Sequence, residues 1–188
     1  MKQPLPACAC RRRLLGLGAL GALGALGALG TLAGCSPRES GAGAAAPQEI
    51  TAATVCELDG MLLADYPGPK AQIHRVGATT PEFYCDTVEL FATLLRPEAV
   101  HAVAAAYVQD MGRADWERPQ GQWIDARQAF YVRGSKRRGS MGPTLASFAT
   151  EADAQRFAAQ WGGTLLRYAD IKPEMVDLSG GTKGDGRM

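Results

Sequence analysis

Apolar and polar positions along the chain run through the same order of periods twice. In 70–76, Ala71, Ile73 and Val76 alternate with polar residues after Pro67-Gly68-Pro69, which predicts a strand. Residues 82–85 predict a second, short strand. Asp86 or Thr87 supplies an N-cap, and Leu90, Phe91, Leu94 and Leu95 recur at helical spacing through 88–95, with Pro97 just beyond. Small, β-branched and aromatic residues at 100–108 predict a buried third strand. From about Trp123 the order returns, with strands at 129–133 and 144–149 and a helix over 151–161. Thr150 caps that helix, Ala154, Phe157, Ala158 and Trp161 share one face, and Glu151 and Asp153 put acid on the electropositive first turn. Gly162-Gly163 ends it, and 164–168 closes the copy as a strand. Phe83 corresponds to Phe148, and Tyr107-Val108-Gln109-Asp110 and Tyr168-Ala169-Asp170 end the two copies. The expected fold class is α+β, with two similar β-β-α-β halves at 49–115 and 116–178, each a small antiparallel sheet covered by a helix.

The pattern before residue 49 is of another kind. Arg11, Arg12 and Arg13 precede an uncharged, Pro-free run from Leu14 to Ala33, the order of an export signal over 1–34. Twenty apolar residues are also the length of a membrane span. This run is a Leu-Gly-Ala repeat of low hydrophobicity, however, and it ends in Leu32-Ala33-Gly34-Cys35, which matches a lipobox. Cys35 is then expected to carry lipid as the mature N-terminus, giving durable membrane attachment through several acyl chains. Ser36 in place of Asp favours the outer membrane of a two-membrane bacterium, with the body in the periplasm. The Gly, Ala, Ser and Pro content of 35–48 reads as a flexible tether, and 179–188 as a flexible tail.

Charge is nearly balanced, with 20 Lys and Arg against 19 Asp and Glu, and no basic patch carries interleaved aromatics, so no nucleic-acid surface is expected. Of the five cysteines, Cys8 and Cys10 leave with the signal and Cys35 is lipidated. Cys56 and Cys85 remain, either as a disulfide suited to an oxidising compartment or with a kept thiolate that ligates metal.

Soft donors stand out in two places. Cys56-Glu57-Leu58-Asp59-Gly60-Met61 sets a thiol and a thioether five residues apart, and Ser140-Met141-Gly142-Pro143 holds a methionine in a Gly/Pro-bounded loop after a basic run. Methionine usually fills cores, a reading that suits Met111 and Met175 and competes for Met61. It suits Met141 less, because a glycine-rich loop has little core to fill. Thiolate and thioether donors select Cu(I) over harder ions. The two histidines, His74 and His101, are further donors, although a lone His is more often structural. There is no G-x-S-x-G elbow, P-loop or H-E-x-x-H motif. A Cys–His nucleophile pair rises little above background. A thiol-dependent enzyme and a docking lipoprotein without metal remain as alternatives.

Three separated motifs resemble the NosL family, the accessory lipoproteins of nitrous oxide reductase maturation. They are the run from Cys56 through Gly60-Met61 and Pro67-Gly68-Pro69-Lys70 to His74, then Phe83-Tyr84-Cys85-Asp86-Thr87, then Gly139-Ser140-Met141-Gly142-Pro143. The resemblance covers most of 56–171. It implies a periplasmic, non-enzymatic Cu(I) chaperone that supplies the reductase's copper-sulfide centre, with the maturation machinery and apo-reductase as partners. It also implies a fold of two similar β-β-α-β halves. Carried over residue by residue, it makes Cys56 a ligand and Met141 a second ligand from the other half. Met61 becomes a possible third and His74 the preferred histidine. Many members have a second Cys where Asp59 stands, a departure that moves weight onto Met and His. Cys85 is set aside as a non-ligand at a strand-to-helix junction.

Overall fold

The computed structural model describes residues 45–96 and 102–178. The expected signal peptide over 1–34, Cys35, His101 and the expected tail from 179 lie outside them.

The first sheet is built from β1 (Ala71–Arg75), β2 (Glu82–Tyr84) and β3 (Val103–Gln109), with α1 (Thr87–Leu94) between β2 and β3 in sequence. The second is built from β5 (Phe130–Gly139), β6 (Gly142–Phe148) and β7 (Thr164–Arg167), with α2 (Glu151–Trp161) before β7. Spatial orders β2-β1-β3 and β6-β5-β7 match, every pairing is antiparallel, and the fold is α+β as expected. The N-caps Asp86 and Thr150 align the two copies. On that alignment the counterpart of Phe148 is Tyr84, not Phe83, and both rings are buried. The closing motifs also differ, since Tyr107 and Gln109 lie in a strand whereas Tyr168–Asp170 is a 3-10 turn.

Two elements depart from the sequence reading. Trp123–Asp125 forms β4, which pairs with β3 through Val108 and Ile124, so it edges the first sheet and does not open the second. Strand β5 continues past 133 through the basic run. Its register shifts between Arg133 and Arg138, and pairing resumes at Arg138 with Pro143 and Gly139 with Gly142. A two-residue turn, Ser140-Met141, is left at the tip.

Helix α1 packs on β1 and β2 of its own sheet and also on β6 of the other. The reason is its composition. Leu90 and Phe91 are fully buried, and Val88, Ala92, Leu94 and Leu95 also pack on the core, so apolar residues surround the helix and one sheet cannot cover it. Burying each of the two largest contributes about 1.5–3 kcal/mol. Phe91 meets the Tyr131 ring edge-on at 5.1 Å, joining the halves in one core. Helix α2 behaves as expected and places Ala154, Phe157 and Ala158 over β5, β6 and β7 with Trp116 stacked on Phe157. The sheets are also tied by backbone. Met111 N–H donates to Ser147 O at 2.8 Å, and Ser147 Oγ donates to Gln109 O at 2.6 Å. At the start of the described chain, Gln48 and Ala45 hydrogen-bond the Gln72 side chain and the Tyr107 hydroxyl, so the end of the expected tether lies on the first sheet.

Candidate metal centre

The segment carrying Cys56 folds as a tight hairpin. Val55 and Leu62 form an antiparallel bridge, Cys56 N–H donates to Met61 O at 2.8 Å, and Gly60 N–H returns to Cys56 O at 2.9 Å. Gly60 has φ +73, a left-handed conformation that glycine adopts without a Cβ penalty. Asp59 steadies the turn by accepting from Met61 N–H at 3.0 Å. One backbone bond, Glu57 N–H to Phe83 O at 2.8 Å, lays this hairpin beside the end of β2.

Cys85 follows β2 directly and precedes the cap of α1. Asp86 and Glu89 form a capping box there, as the D-x-x-E spacing requires. Glu89 turns back so that its Oε2 accepts from Cys85 N–H at 3.1 Å and Asp86 N–H at 3.3 Å. The same oxygen accepts from both thiols, Cys85 Sγ at 3.2 Å and Cys56 Sγ at 3.3 Å. Asp59 Oδ2 lies 3.9 Å from Cys85 Sγ. Donor atoms of Cys56, Asp59, Cys85 and Glu89 all fall within 4.8 Å of one another. Both cysteines are free and almost fully buried, so of the two readings of this pair the structure holds the thiols and not the disulfide.

The two thiols are not equivalent. The neighbouring Cys85 side chain and, with it, backbone N–H groups at Cys85, Leu58 and Asp59 hold the Cys56 pKa below its ordinary value in spite of burial. The same contact with Cys56 pushes Cys85 upward, as do burial and the Glu89 carboxylate. Cys56 is therefore the more readily ionised of the two thiols. Behind them lies Lys70, with no exposed surface. Burial lowers its pKa to about 8, against the opposing pull of Asp86, Cys85, Glu89 and Cys56. Its Nζ donates to Pro67 O and Cys85 O, each at 3.0 Å, and to Ser140 Oγ at 2.7 Å.

Of the residues chosen from sequence, Cys56 lies in the cluster and Met61 lies across the hairpin from it. Met141 sits half-exposed at the β5–β6 tip, and its neighbour Ser140 hydrogen-bonds Cys85 O. His74 stands apart. It is buried in β1, its Nε2 is 2.9 Å from Gln72 Oε1, and its ring meets Tyr107 edge-on. It is four residues along the strand from Lys70, about 13 Å at 3.3 Å per residue. Cys85, set aside from sequence, is beside Cys56. Asp59 was noted only as a departure from the family's second Cys, and Glu89 and Lys70 were not singled out, although the D-x-x-E cap and the lysine closing Pro-Gly-Pro-Lys were both visible signals.

A buried thiol pair favours a soft ion, because thiolate donors bind soft metals far better than carboxylate oxygens do. Each thiol bound to metal gives up its proton, so loading is coupled to proton release.

The description NosL belongs to the family model that matches residues 47–176. The chain is 38% identical over 147 residues to the copper-binding lipoprotein NosL of Stutzerimonas stutzeri, covering 77% of this chain and 76% of that one. It is 39% identical over 143 residues to the copper-binding lipoprotein NosL of Achromobacter cycloclastes, covering 74% of each. Among solved structures it is similar to the crystal structure of the copper chaperone NosL from Shewanella denitrificans. That likeness has a TM-score of 0.66 at 38% identity and covers 69% of this chain and 97% of that one.

Proposed function

Because the chain belongs to the NosL family, we propose that its body carries copper as Cu(I) between Cys56 and Cys85. Met141 is a displaceable third donor and Met61 a further thioether nearby. In the cell this cargo goes to apo-nitrous oxide reductase and its maturation machinery for the copper-sulfide centre. The protein works from the periplasmic face of a membrane, the outer one by the Ser36 reading, through lipid on Cys35. The reading is of a carrier and not an enzyme.

The observation that carries this reading is the convergence of two buried free thiols on one carboxylate oxygen, all within 4.8 Å. The steps follow from that geometry. Cu(I) meets Cys56 first, because that thiol ionises more readily. It then displaces the proton of Cys85, which Glu89 is placed to accept, since Glu89 already takes a hydrogen bond from each sulfur. Carboxylates at Asp59 and Glu89 are hard donors and contribute little to holding Cu(I). A neutral thioether at Met141 is never protonated, binds weakly and yields to an incoming ligand, which suits hand-over.

Competition with a Cu(I) chelator tests the reading. The body of the wild-type chain is expected to withdraw one equivalent of Cu(I) and then to load metal-free reductase supplied with sulfide. A chain that leaves the chelator loaded, or that shows thiol-dependent turnover of a substrate without copper, refutes it.

A further inference from the structure

We propose that Lys70 and Ser140 form a latch that fixes the Met141 hairpin of the second half against Cys85 of the first. They are positioning residues for the copper site rather than ligands. The inference rests on the copper reading above.

Lys70 has no exposed surface, yet no carboxylate among the described residues lies within ion-pair distance of its Nζ. A buried ammonium is costly unless its donors are met. All three are met, each in a different segment: the carbonyl of Pro67 before β1, the carbonyl of Cys85 before α1, and the hydroxyl of Ser140 at the β5–β6 turn. Ser140 Oγ repeats the pattern, with Pro67 O at 3.1 Å and Cys85 O closer still. Cys85, the loop before β1 and the tip bearing Met141 are thus tied at one point.

The neck beneath the tip is clamped independently. A Cβ on Gly68, which has φ +83, would lie 2.6 Å from Gly139 Cα, and one on Gly139 would collide with Asp86 Oδ2 and lie 2.9 Å from Thr144 Cβ. Trp116 holds the same stretch, accepting Gly68 N–H at its own carbonyl and donating from its indole to Arg138 O. An apolar side chain at position 70 would give the strand a cheaper core. The ammonium instead supplies a three-way tie adjoining the proposed donor Met141. With the tip fixed, the thioether meets Cu(I) without first losing the freedom of a loop, which is how preorganisation raises affinity.

The test is a double-mutant cycle on Cu(I) affinity, measured by chelator competition, with Ser140→Ala as the main variant and Lys70→Met as the second. Ser140→Ala is expected to weaken binding by about as much as Met141→Ala, on the order of 10-fold. The double variant is expected to bind no more weakly than Met141→Ala alone, since no thioether remains to be placed. A purely structural defect gives additive losses instead. In the metal-free protein, Ser140→Ala should also speed amide hydrogen exchange at 139–142 while the melting transition stays cooperative. Wild-type affinity in Ser140→Ala, or a loss that adds in full to that of Met141→Ala, overturns the latch while leaving the thiol pair standing. No effect of Met141→Ala removes what the latch would place and overturns it too. Failure of the wild type to compete for Cu(I) overturns the copper reading itself.

Discussion

Replacing Gly68 by Ala strikes the junction between the halves without touching a proposed ligand, and its cost can be built up from geometry. Gly68 has φ +83, where an L side chain costs about 1–2 kcal/mol. The added Cβ would also stand 2.6 Å from Gly139 Cα, whereas carbon atoms pack at about 3.5–4.0 Å. The neck must open by roughly 1 Å. That stretches the Gly68 N–H to Trp116 O bond of 2.8 Å and the Lys70 to Ser140 bond of 2.7 Å. Losing one or two such bonds adds about 1 kcal/mol each, for a total of about 2–4 kcal/mol. Gly77 is the matched control, with φ +81 and nothing within 4 Å of its Cβ position, so Gly77→Ala carries the backbone cost alone. Urea unfolding of the metal-free chains at pH 7 separates the two. At a slope of about 1–3 kcal/mol per molar, Gly68→Ala should lower the midpoint by about 1–2 M and clearly more than Gly77→Ala does. Equal shifts for the two variants refute the close approach of the halves at this point.

Four further outcomes are expected. His74→Phe should leave Cu(I) affinity within about 2-fold of wild type in chelator competition, because the imidazole is engaged with Gln72 and lies four residues, about 13 Å, along the chain from Lys70; a larger loss returns that histidine to the site. Glu89→Gln should speed alkylation of Cys85 by iodoacetamide at pH 8, since the carboxylate is one of the groups holding that thiol protonated, and should lower stability by about 1 kcal/mol through the weakened cap. Asp86 is fully buried and its pKa is raised to about 6 by that burial, partly offset by Val88 N–H and Thr144. Its contribution to stability is therefore complete below the ordinary carboxylate pKa and is lost as pH rises through about 6, so wild type should be more stable at pH 5 than at pH 7 relative to Asp86→Asn, by about 1 kcal/mol in urea titrations. Cys35→Ala should abolish lipid labelling, and continued labelling rules out the lipobox.

The helices were legible because their signals are local. Asp86 or Thr87, and Thr150 with Glu151 and Asp153, mark first turns, Gly162-Gly163 marks a stop, and the α2 face follows from spacing alone. The duplication was legible from the order of the elements. What escaped depends on contacts between distant segments. Nothing in the period of 88–95 says that its apolar surplus is covered by β6 of the other half. The basic residues of 136–138 read as loop because their charge outweighs the pairing that Gly139 and Gly142 make possible across a two-residue turn. The site shows the same limit. Cys56 and Cys85 are 29 positions apart, and their meeting depends on one backbone bond from Glu57 to Phe83 and on a capping glutamate that faces both sulfurs. Alternation in β1 could place His74 on a face, but not say that Gln72 and Tyr107 would occupy it.

Copper K-edge X-ray absorption of the Cu(I)-loaded chain tests the central claim most directly, with Cys85→Ser measured alongside wild type. Copper held between Cys56 and Cys85 should show a shell of sulfur alone in the wild type, supplied by the two thiolates and Met141, and that shell should lose one sulfur in Cys85→Ser. An imidazole nitrogen in the wild-type shell, or an unchanged shell in Cys85→Ser, contradicts it.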